Sequence, residues 1–426
     1  MISLSEVFKP LADIVSPDEL KSLAENVDVK AERLLNNSHV HLPPNFSAFE
    51  SVQQVADIAA SENIGVLGVT NYYDYAVYGE FAKCAADKGI FPVFGLEIIS
   101  LVDELVENGV LVNDPNNPGR FYFCAKGAVG VADPTPRGQE LLDTIRKNDT
   151  ERMAEMTRKV GEVLKDNGID VQLTDEDVIA MICQRHGVER ETVTIQERHI
   201  AQAYQEALFH AVPAENRLET LEKLFGVPSK ADDPDDAVTI QGDLRSHLMK
   251  SGKPAFVKEA FLKFEQAHEL ILELKGLPCY PTLADGTDPI CGYEDPVGDL
   301  IADLKDRKIH MCEFIPTRNT PEVLRDYVVA MREAGMAVVG GTEHNTLSLI
   351  PIEPKCSGAA EIPEEVKDIF WEGICVCAAH QYMVLNDKTG FVDGDGNPNA
   401  DYDSDEERIR AFASMGAALI KKYREQ

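Results

Sequence analysis

The sequence predicts an α/β barrel that is interrupted by an all-helical insertion. Short apolar runs typical of strands alternate with helical segments over residues 34–133, and the same alternation returns over residues 276–426. Between these two parts, residues 134–275 have long helical patterns and almost no strand signal. One barrel with an insertion explains this order better than three independent domains do.

Local sequence patterns predict the helical segments at the two ends and the strands between them. A helical lead-in is expected over residues 1–33, which have helical periodicity and a capping signal at Ser16-Pro17-Asp18. Ser404 and Glu407 form a capping box before an apolar helical face, so the chain is expected to end in a docked helix. The strand-like runs cover residues 66–70, 91–98 and 121–125 in the first part and 277–281, 309–314 and 336–340 in the second.

Composition and charge exclude several classes of partner. The 426 residues include 41 Lys and Arg against 73 Asp and Glu, a net charge of −32, so the average surface field repels nucleic acid and anionic membranes. The sequence has no apolar run of membrane-spanning length and no signal-peptide pattern. The nine Cys lack framework spacing, which is typical of reduced thiols. We therefore expect a cytoplasmic protein without a nucleic-acid or membrane partner.

The most informative residues are Ser38-His39-Val40-His41. Because positions i and i+2 of a strand share a face, His39 and His41 can reach one metal ion from the barrel interior. Neutral imidazoles suit Zn, Mn or Fe. Strand-terminal His and Glu residues converge on the C-terminal face of such a barrel, where metals and substrates bind. The further candidates for this face are Glu97, His199, Glu343 and His344.

With these residues in place, the sequence resembles the polymerase and histidinol phosphatase (PHP) family of metal-dependent phosphoesterases, which have a distorted (β/α)7 barrel. The resemblance covers roughly residues 34–130 and 190–350, and the helical insertion also occurs in the small-molecule branch of the family. It rests on SHVH at the first HxH motif, GVTNYYDY at a G-x-T-D-H run, GLEI at the bridging Glu, ERHIAQA at the third His motif, PCYPTLADG at an A-H-P strand and GGTEHN at the closing S-D-x-H element.

The resemblance implies three metal positions, and the share of the family's ligands that this sequence supplies differs between them. The first is complete, with Glu in place of the family's Asp, whereas the second has Tyr where the family has His. The third lacks all its usual ligands, and it is absent unless His344 or Asp74 replaces them. The corresponding residues are His39, His41, Glu97 and Glu343 for the first position, Glu97, His199 and Tyr280 for the second, and Ser47, Tyr72 and Asn345 for the third.

The expected function is that of a metal-dependent hydrolase, a phosphoesterase that acts on a small phosphorylated metabolite. About one to two divalent transition-metal ions per chain would lower the pKa of a coordinated water toward 7 and polarise a substrate oxygen. Glu97 and His199 are expected at the reacting centre. Arg198 and Arg318 are expected to bind the anionic substrate.

Two alternatives remain open from the sequence. The first is a non-hydrolytic, metal-binding barrel that binds a ligand or a partner, because several family ligands are replaced. The second is an amidohydrolase-like C–N hydrolase, since that superfamily also begins with HxH in a barrel. The second alternative needs a bridging Lys and two further strand-end His, which the sequence alone does not assign. Nothing in the sequence predicts the oligomeric state.

Overall fold

The computed structural model describes residues 4–426 and confirms the predicted barrel with its helical insertion. Seven strands form the barrel sheet in the order β1-β2-β3-β4-β6-β7-β8, and the short β5 pairs with the end of β3. The strands are β1 Leu35–Val40, β2 Ile64–Tyr72, β3 Phe91–Leu101, β4 Arg120–Lys126, β5 Leu262–Lys263, β6 Leu277–Thr282, β7 Met311–Phe314 and β8 Ala337–Gly340.

The barrel closes where β1 meets the residues that follow β8. Val40 forms a parallel bridge with Glu343. The His41 N–H donates to the Glu343 carbonyl at 2.8 Å, and the Glu343 N–H donates to the His39 carbonyl at 2.9 Å. Closure therefore brings Glu343, which is remote in sequence, next to the HxH motif.

One strand runs against the others. β4 is antiparallel to both β3 and β6, with Glu97 opposite Cys124. The alternating pattern of the sequence predicted parallel βαβ units, but the connection between β3 and β4 turns back at one end of the barrel. The Val102 N–H donates to the Gly119 carbonyl at 2.9 Å, so the ladder continues into this connection, whose helix has only five residues. A parallel strand would need a longer crossover element.

Fifteen α-helices surround and interrupt the barrel within residues 4–426, and none of them is long and apolar enough to cross a membrane. They are α1 Leu4–Ala12, α2 Pro17–Ala24, α3 Val52–Ser61, α4 Tyr78–Ala86, α5 Asp103–Glu107, α6 Pro136–Asp166, α7 Asp175–His186, α8 Glu197–Ala211, α9 Ala214–Phe225, α10 Ala237–Leu244, α11 Phe264–Glu273, α12 Val297–Asp306, α13 Pro321–Glu333, α14 Glu364–Leu385 and α15 Asp405–Arg424. A π-helical turn, Arg245–Met249, extends α10. Short 3₁₀ turns occur at Gly130–Ala132, Arg190–Thr192, Ala284–Gly286, Pro316–Arg318 and Ser357–Ala359.

The helical insertion has a hydrophobic core of its own. The first turns of α6 pack on the barrel core through Leu141, Leu142 and Ile145. The rest of α6 enters a second core, built from buried residues between Met153 and Ala255. Because α6 belongs to both cores, it fixes the position of the insertion over the barrel.

Glycines allow close contact of α15 with α14 and of α14 with β8. A Cβ atom built on Gly416 of α15 would lie 1.9 Å from the Cys375 carbonyl oxygen of α14, and one built on Gly373 would lie 2.0 Å from the Val338 carbonyl oxygen. Real Cβ contacts are never this short, so this packing requires glycine at both positions.

Candidate metal centre

Three buried side chains from two strands converge inside the barrel mouth. β1 carries His39, His41 directly follows the last residue of β1, and β3 carries Glu97. The Nε2 atoms of the two histidines are 3.2 Å apart, and Glu97 Oε2 lies 3.3 Å from His41 Nε2 and 4.0 Å from His39 Nε2. We call this group the His39–His41–Glu97 triangle. It is a set of N and O donors close enough to bind one metal ion.

A second carboxylate, Glu313 of β7, orients the His39 ring. His39 Nδ1 lies 2.8 Å from Glu313 Oε2, which therefore accepts the Nδ1–H proton and leaves the Nε2 lone pair facing the triangle. Glu313 also accepts from Ser38 Oγ at 2.5 Å and from Lys126 Nζ at 2.6 Å. Burial opposes its charge, but Lys126 and His39 outweigh burial and lower the Glu313 pKa to about 2. Carboxylate–histidine pairs of this kind support metal ligands in many proteins.

The triangle contains atoms that lack protein partners. The approach of His41 Nε2 to Glu97 Oε2 is not aligned as a hydrogen bond, and Glu97 Oε2 is buried without a hydrogen-bond donor among the described residues. A buried carboxylate oxygen without a partner is costly, and a cation between the three donors would remove this cost. Two imidazoles and one carboxylate suit Zn, Mn or Fe, so the donor set fits the predicted ion.

A second possible metal group is weaker. His39 Nδ1, Cys124 and Glu313 also lie close together. However, Lys126 already neutralises Glu313, and burial raises the pKa of the Cys124 thiol well above its usual value. Because a metal ligand must be a thiolate rather than a thiol, this group is less suited to an ion than the triangle is.

Glu343 lies next to the triangle. Its Oε2 accepts from Asn345 Nδ2 at 2.7 Å and forms an ion pair with Arg318. Burial opposes the Glu343 charge, but Arg318, His39 and His41 lower the Glu343 pKa. Glu343 and His344 both have positive φ, 60° and 55°, so this turn is held in a conformation that is costly for residues other than glycine. The role of Glu343 as a fourth ligand stays a prediction.

His344 does not join the triangle. Its Nδ1 lies 2.7 Å from Thr342 Oγ1, and its Nε2 lies 2.9 Å from the Ile350 carbonyl oxygen. The ring also stacks on Phe49. Burial lowers the His344 pKa to about 4, so the ring is neutral at pH 7. Both nitrogens are therefore engaged in holding the turn after β8, and the role of His344 as a ligand, which would need one of these contacts to break, stays a prediction.

His199 is held through one ring nitrogen, whereas its Nε2 is buried without a hydrogen-bond partner among the described residues. It lies in the first turn of α8, where its Nδ1 accepts from the Gln196 N–H at 3.0 Å and its ring edge contacts Phe46. Burial lowers the His199 pKa to about 3. None of its atoms belongs to the compact donor groups of the described residues. The residue predicted beside it, Tyr280, donates to Glu294 Oε1 at 2.7 Å. The structure thus does not assemble the second metal position.

The residues at the third predicted position surround the triangle instead of binding an ion. Ser47 Oγ donates to the His41 carbonyl at 2.7 Å. The Tyr72 ring stacks on the His41 ring with a centroid separation of 5.4 Å. Asn345 donates to Glu343, as described above. These three residues therefore position the ligands and their neighbours.

A cavity lies between the barrel mouth and the insertion. Tyr72 and Asn345 line it, so it adjoins the triangle through the residues that contact His41 and Glu343. Of the two predicted substrate-binding arginines, Arg198 lines the cavity and Arg318 pairs with Glu343. The basic residues that line the cavity are Arg120, Arg152, Arg198, Arg245 and Lys250.

The sequence analysis missed Glu313, Lys126 and the cavity residue Arg245. A signal was available for Glu313, which is the single charged residue of β7, whereas Lys126 shares β4 with a second charged residue, Arg120. No sequence signal links Arg245 to the barrel, since it belongs to the insertion.

Comparisons with known proteins give limited similarity. No family model matches the sequence, and no curated protein matches it. Among solved structures, a protein from Bifidobacterium adolescentis assigned as a metal-dependent phosphoesterase is 14% identical, with a TM-score of 0.49, covering 78% of this chain and 93% of that one. An amidohydrolase from Chromobacterium violaceum, with bound sulfate and no metal, is 17% identical, with a TM-score of 0.48, covering 79% of this chain and 96% of that one. Neither similarity assigns a function to this chain.

Proposed function

We propose that the protein is a metal-dependent hydrolase, specifically a phosphoesterase that acts on a small phosphorylated metabolite. The observation that supports the proposal is the His39–His41–Glu97 triangle, in which a buried carboxylate sets the tautomer of one ligand. A divalent transition metal supplies a Lewis acid and an activated water at neutral pH when it is bound in such a donor set.

The chain's own residues bind the ion and keep its ligands in one state. His39, His41 and Glu97 are the ligands, and Glu313 keeps the Nε2 lone pair of His39 directed into the triangle. Tyr72 limits the movement of the His41 ring by stacking on it. Preorganised ligands of this kind spare the reaction the cost of rearranging the site.

The charge around the mouth supports an anionic substrate. In a protein with a net charge of −32, the basic groups near the triangle are a local exception. Arg318 is 40% exposed and can present its guanidinium to a phosphate, a group that Arg binds through two parallel hydrogen bonds.

Specific contacts favour the non-hydrolytic barrel in one respect and disfavour the C–N hydrolase. The non-hydrolytic barrel is favoured by one observation, that His199 and Tyr280 do not complete a second metal position. The C–N hydrolase would need a bridging lysine. Lys126, on β4, is held by Glu313 and by the Ser38 carbonyl oxygen, which disfavours that role.

The test is a screen of the Mn- or Zn-loaded protein against phosphorylated metabolites, beside simple phosphate monoesters and diesters. We expect turnover by the wild type and a loss of about 100-fold or more in Glu97→Gln, which keeps the size of the side chain but not its charge. Glu219→Gln, on the exposed face of α9, is the matched control and should be as active as the wild type. Intact fold and metal with no ester turned over would contradict the proposal and favour the non-hydrolytic barrel.

A further inference from the structure

The cavity between barrel and insertion has more basic groups than the carboxylates around it neutralise. Glu197, in the first turn of α8, pairs with three of them: Arg152 at 2.6 Å, Lys250 at 2.8 Å and Arg245 at 3.7 Å. Arg152 has two further carboxylate partners, Glu259 at 3.5 Å and Asp149 at 3.8 Å, so it is Lys250 and Arg245 that depend on Glu197 alone. Arg245 is the farthest of the three, and its Nε is buried without an acceptor among the described residues.

Arg198 has no carboxylate partner at all among residues 4–426. Its one recorded hydrogen bond is a long contact of 3.5 Å to Asn345 Oδ1, and its guanidinium lies 6.0 Å from the Phe46 ring centroid. Burial, together with the charge of Arg245, lowers the Arg198 pKa to about 10. Two guanidinium groups with unused donors therefore face the same cavity, and such an arrangement is costly unless an anion joins them.

We propose that Arg198 and Arg245 form a binding site for a second anionic group of the substrate, a phosphate or a carboxylate separate from the ester at the metal triangle. That the occupant belongs to the substrate rests on the proposed function. The two residues come from different elements, Arg198 from α8 and Arg245 from the π-helical turn of the insertion. The cavity lies directly beside the triangle, because Arg198 contacts Asn345 and Asn345 contacts Glu343.

The consequence for specificity is that the insertion selects substrates with two anionic groups. A simple monoester would bind at the triangle and leave both arginines without a partner. A substrate with a second phosphate or carboxylate would use the donors of both, and guanidinium–anion hydrogen bonds are among the stronger polar contacts in proteins.

The experiment measures anion binding in the absence of metal, so it does not depend on hydrolysis. The full chain with His39→Ala and His41→Ala is titrated by calorimetry with inorganic phosphate and, separately, with acetate at matched ionic strength. We expect phosphate or acetate to bind, and the tighter probe identifies the class of anion. Adding Arg198→Met or Arg245→Met should weaken binding about tenfold or more. Arg158→Met, which removes an exposed arginine of α6, is the matched control and should bind as the parent does.

Stability separates a binding role from a structural one. Arg198→Met removes an unpaired cation, so the midpoint of thermal unfolding without phosphate should equal or exceed that of the parent. If this variant does not fold, Arg198→Lys replaces it in the test. Lys keeps the positive charge but lacks the parallel N–H donors of the guanidinium, so this variant should bind phosphate more weakly than the parent. Unchanged binding in the arginine variants, or no binding of either probe to the metal-free parent, would overturn the proposal. A failed hydrolysis screen with intact anion binding would count against the proposed function alone.

Discussion

Replacing Glu313 by Gln should both destabilise the protein and weaken metal binding. Glu313 is completely buried and contacts Ser38, His39 and Lys126 at 2.5, 2.8 and 2.6 Å. A neutral amide leaves the ammonium of Lys126 buried without its counter-charge. Breaking a buried ion pair by removing one partner typically costs about 3–5 kcal/mol, and we expect a loss in that range.

The second effect of Glu313→Gln is on the ligand His39. A Gln amide can donate as well as accept, so it no longer fixes the Nδ1–H tautomer that directs the Nε2 lone pair into the triangle. Loss of such an outer-shell carboxylate typically weakens metal affinity about 10–100-fold. This loss should appear even where the variant is fully folded.

A double-mutant cycle with Lys126→Met isolates the ion pair. The double variant leaves neither charge buried, so it should recover about 2 kcal/mol or more of the loss caused by Glu313→Gln. Recovery is expected to be incomplete, because Lys126 also donates to the Ser38 carbonyl at 3.0 Å and to Thr70 Oγ1 at 3.2 Å.

The assay is urea unfolding of the metal-free proteins at pH 7, followed by calorimetric titration with Zn. The control is Glu219→Gln, which breaks an exposed pair with Lys223 and should unfold at the same urea concentration as the wild type. A loss below about 1 kcal/mol for Glu313→Gln, with unchanged metal affinity, would refute the reasoning about this carboxylate.

Two further predictions concern pH and packing. Burial lowers the His380 pKa from 6.5 to about 4, so the unfolded chain binds more protons and stability falls as pH drops below 6.5. Between pH 7 and 5 the wild type should lose about 2 kcal/mol more than His380→Gln, measured by urea unfolding at each pH, and equal losses would contradict this. Gly416→Ala should cost about 1–3 kcal/mol or more, because its Cβ would meet the Cys375 carbonyl oxygen at 1.9 Å. Gly242→Ala, with no atom within 4 Å of its Cβ on α10, should be neutral or stabilising in the same thermal assay, and similar losses in both variants would contradict the packing argument.

The barrel could be predicted because its strands are short apolar runs separated by helical segments, and that alternation is a local property. The direction of β4 could not be predicted in the same way. Its apolar run, Phe121–Ala125, has the same pattern in either direction. The direction depends on how the chain reverses after β3, where Val102 pairs with Gly119.

Part of the metal centre could likewise be predicted from local spacing. His39 and His41 are two residues apart at the end of β1, and Glu97 lies in the apolar run of β3. The contacts of His344 could not be predicted in this way, because they depend on the turn after β8, which directs its ring to Thr342 and the Ile350 carbonyl.

The contacts of Glu313 and Arg245 depend on three-dimensional placement. Glu313 reaches His39 only because closure of the barrel brings β1 beside the residues that follow β8, one strand away from β7. Arg245 reaches the cavity only because the insertion packs over the mouth. Residue spacing along the chain predicts neither of these contacts, so both residues could be found only from the fold.

The most direct test of the account is the metal content of the purified protein. Elemental analysis of the wild type should find about one tightly bound transition metal per chain, since one compact set of donors fits such an ion. His39→Ala with His41→Ala should lose this ion, whereas the control His199→Gln should keep it. Metal content that survives the double substitution, or that is lost with His199→Gln alone, would contradict the assignment of the His39–His41–Glu97 triangle.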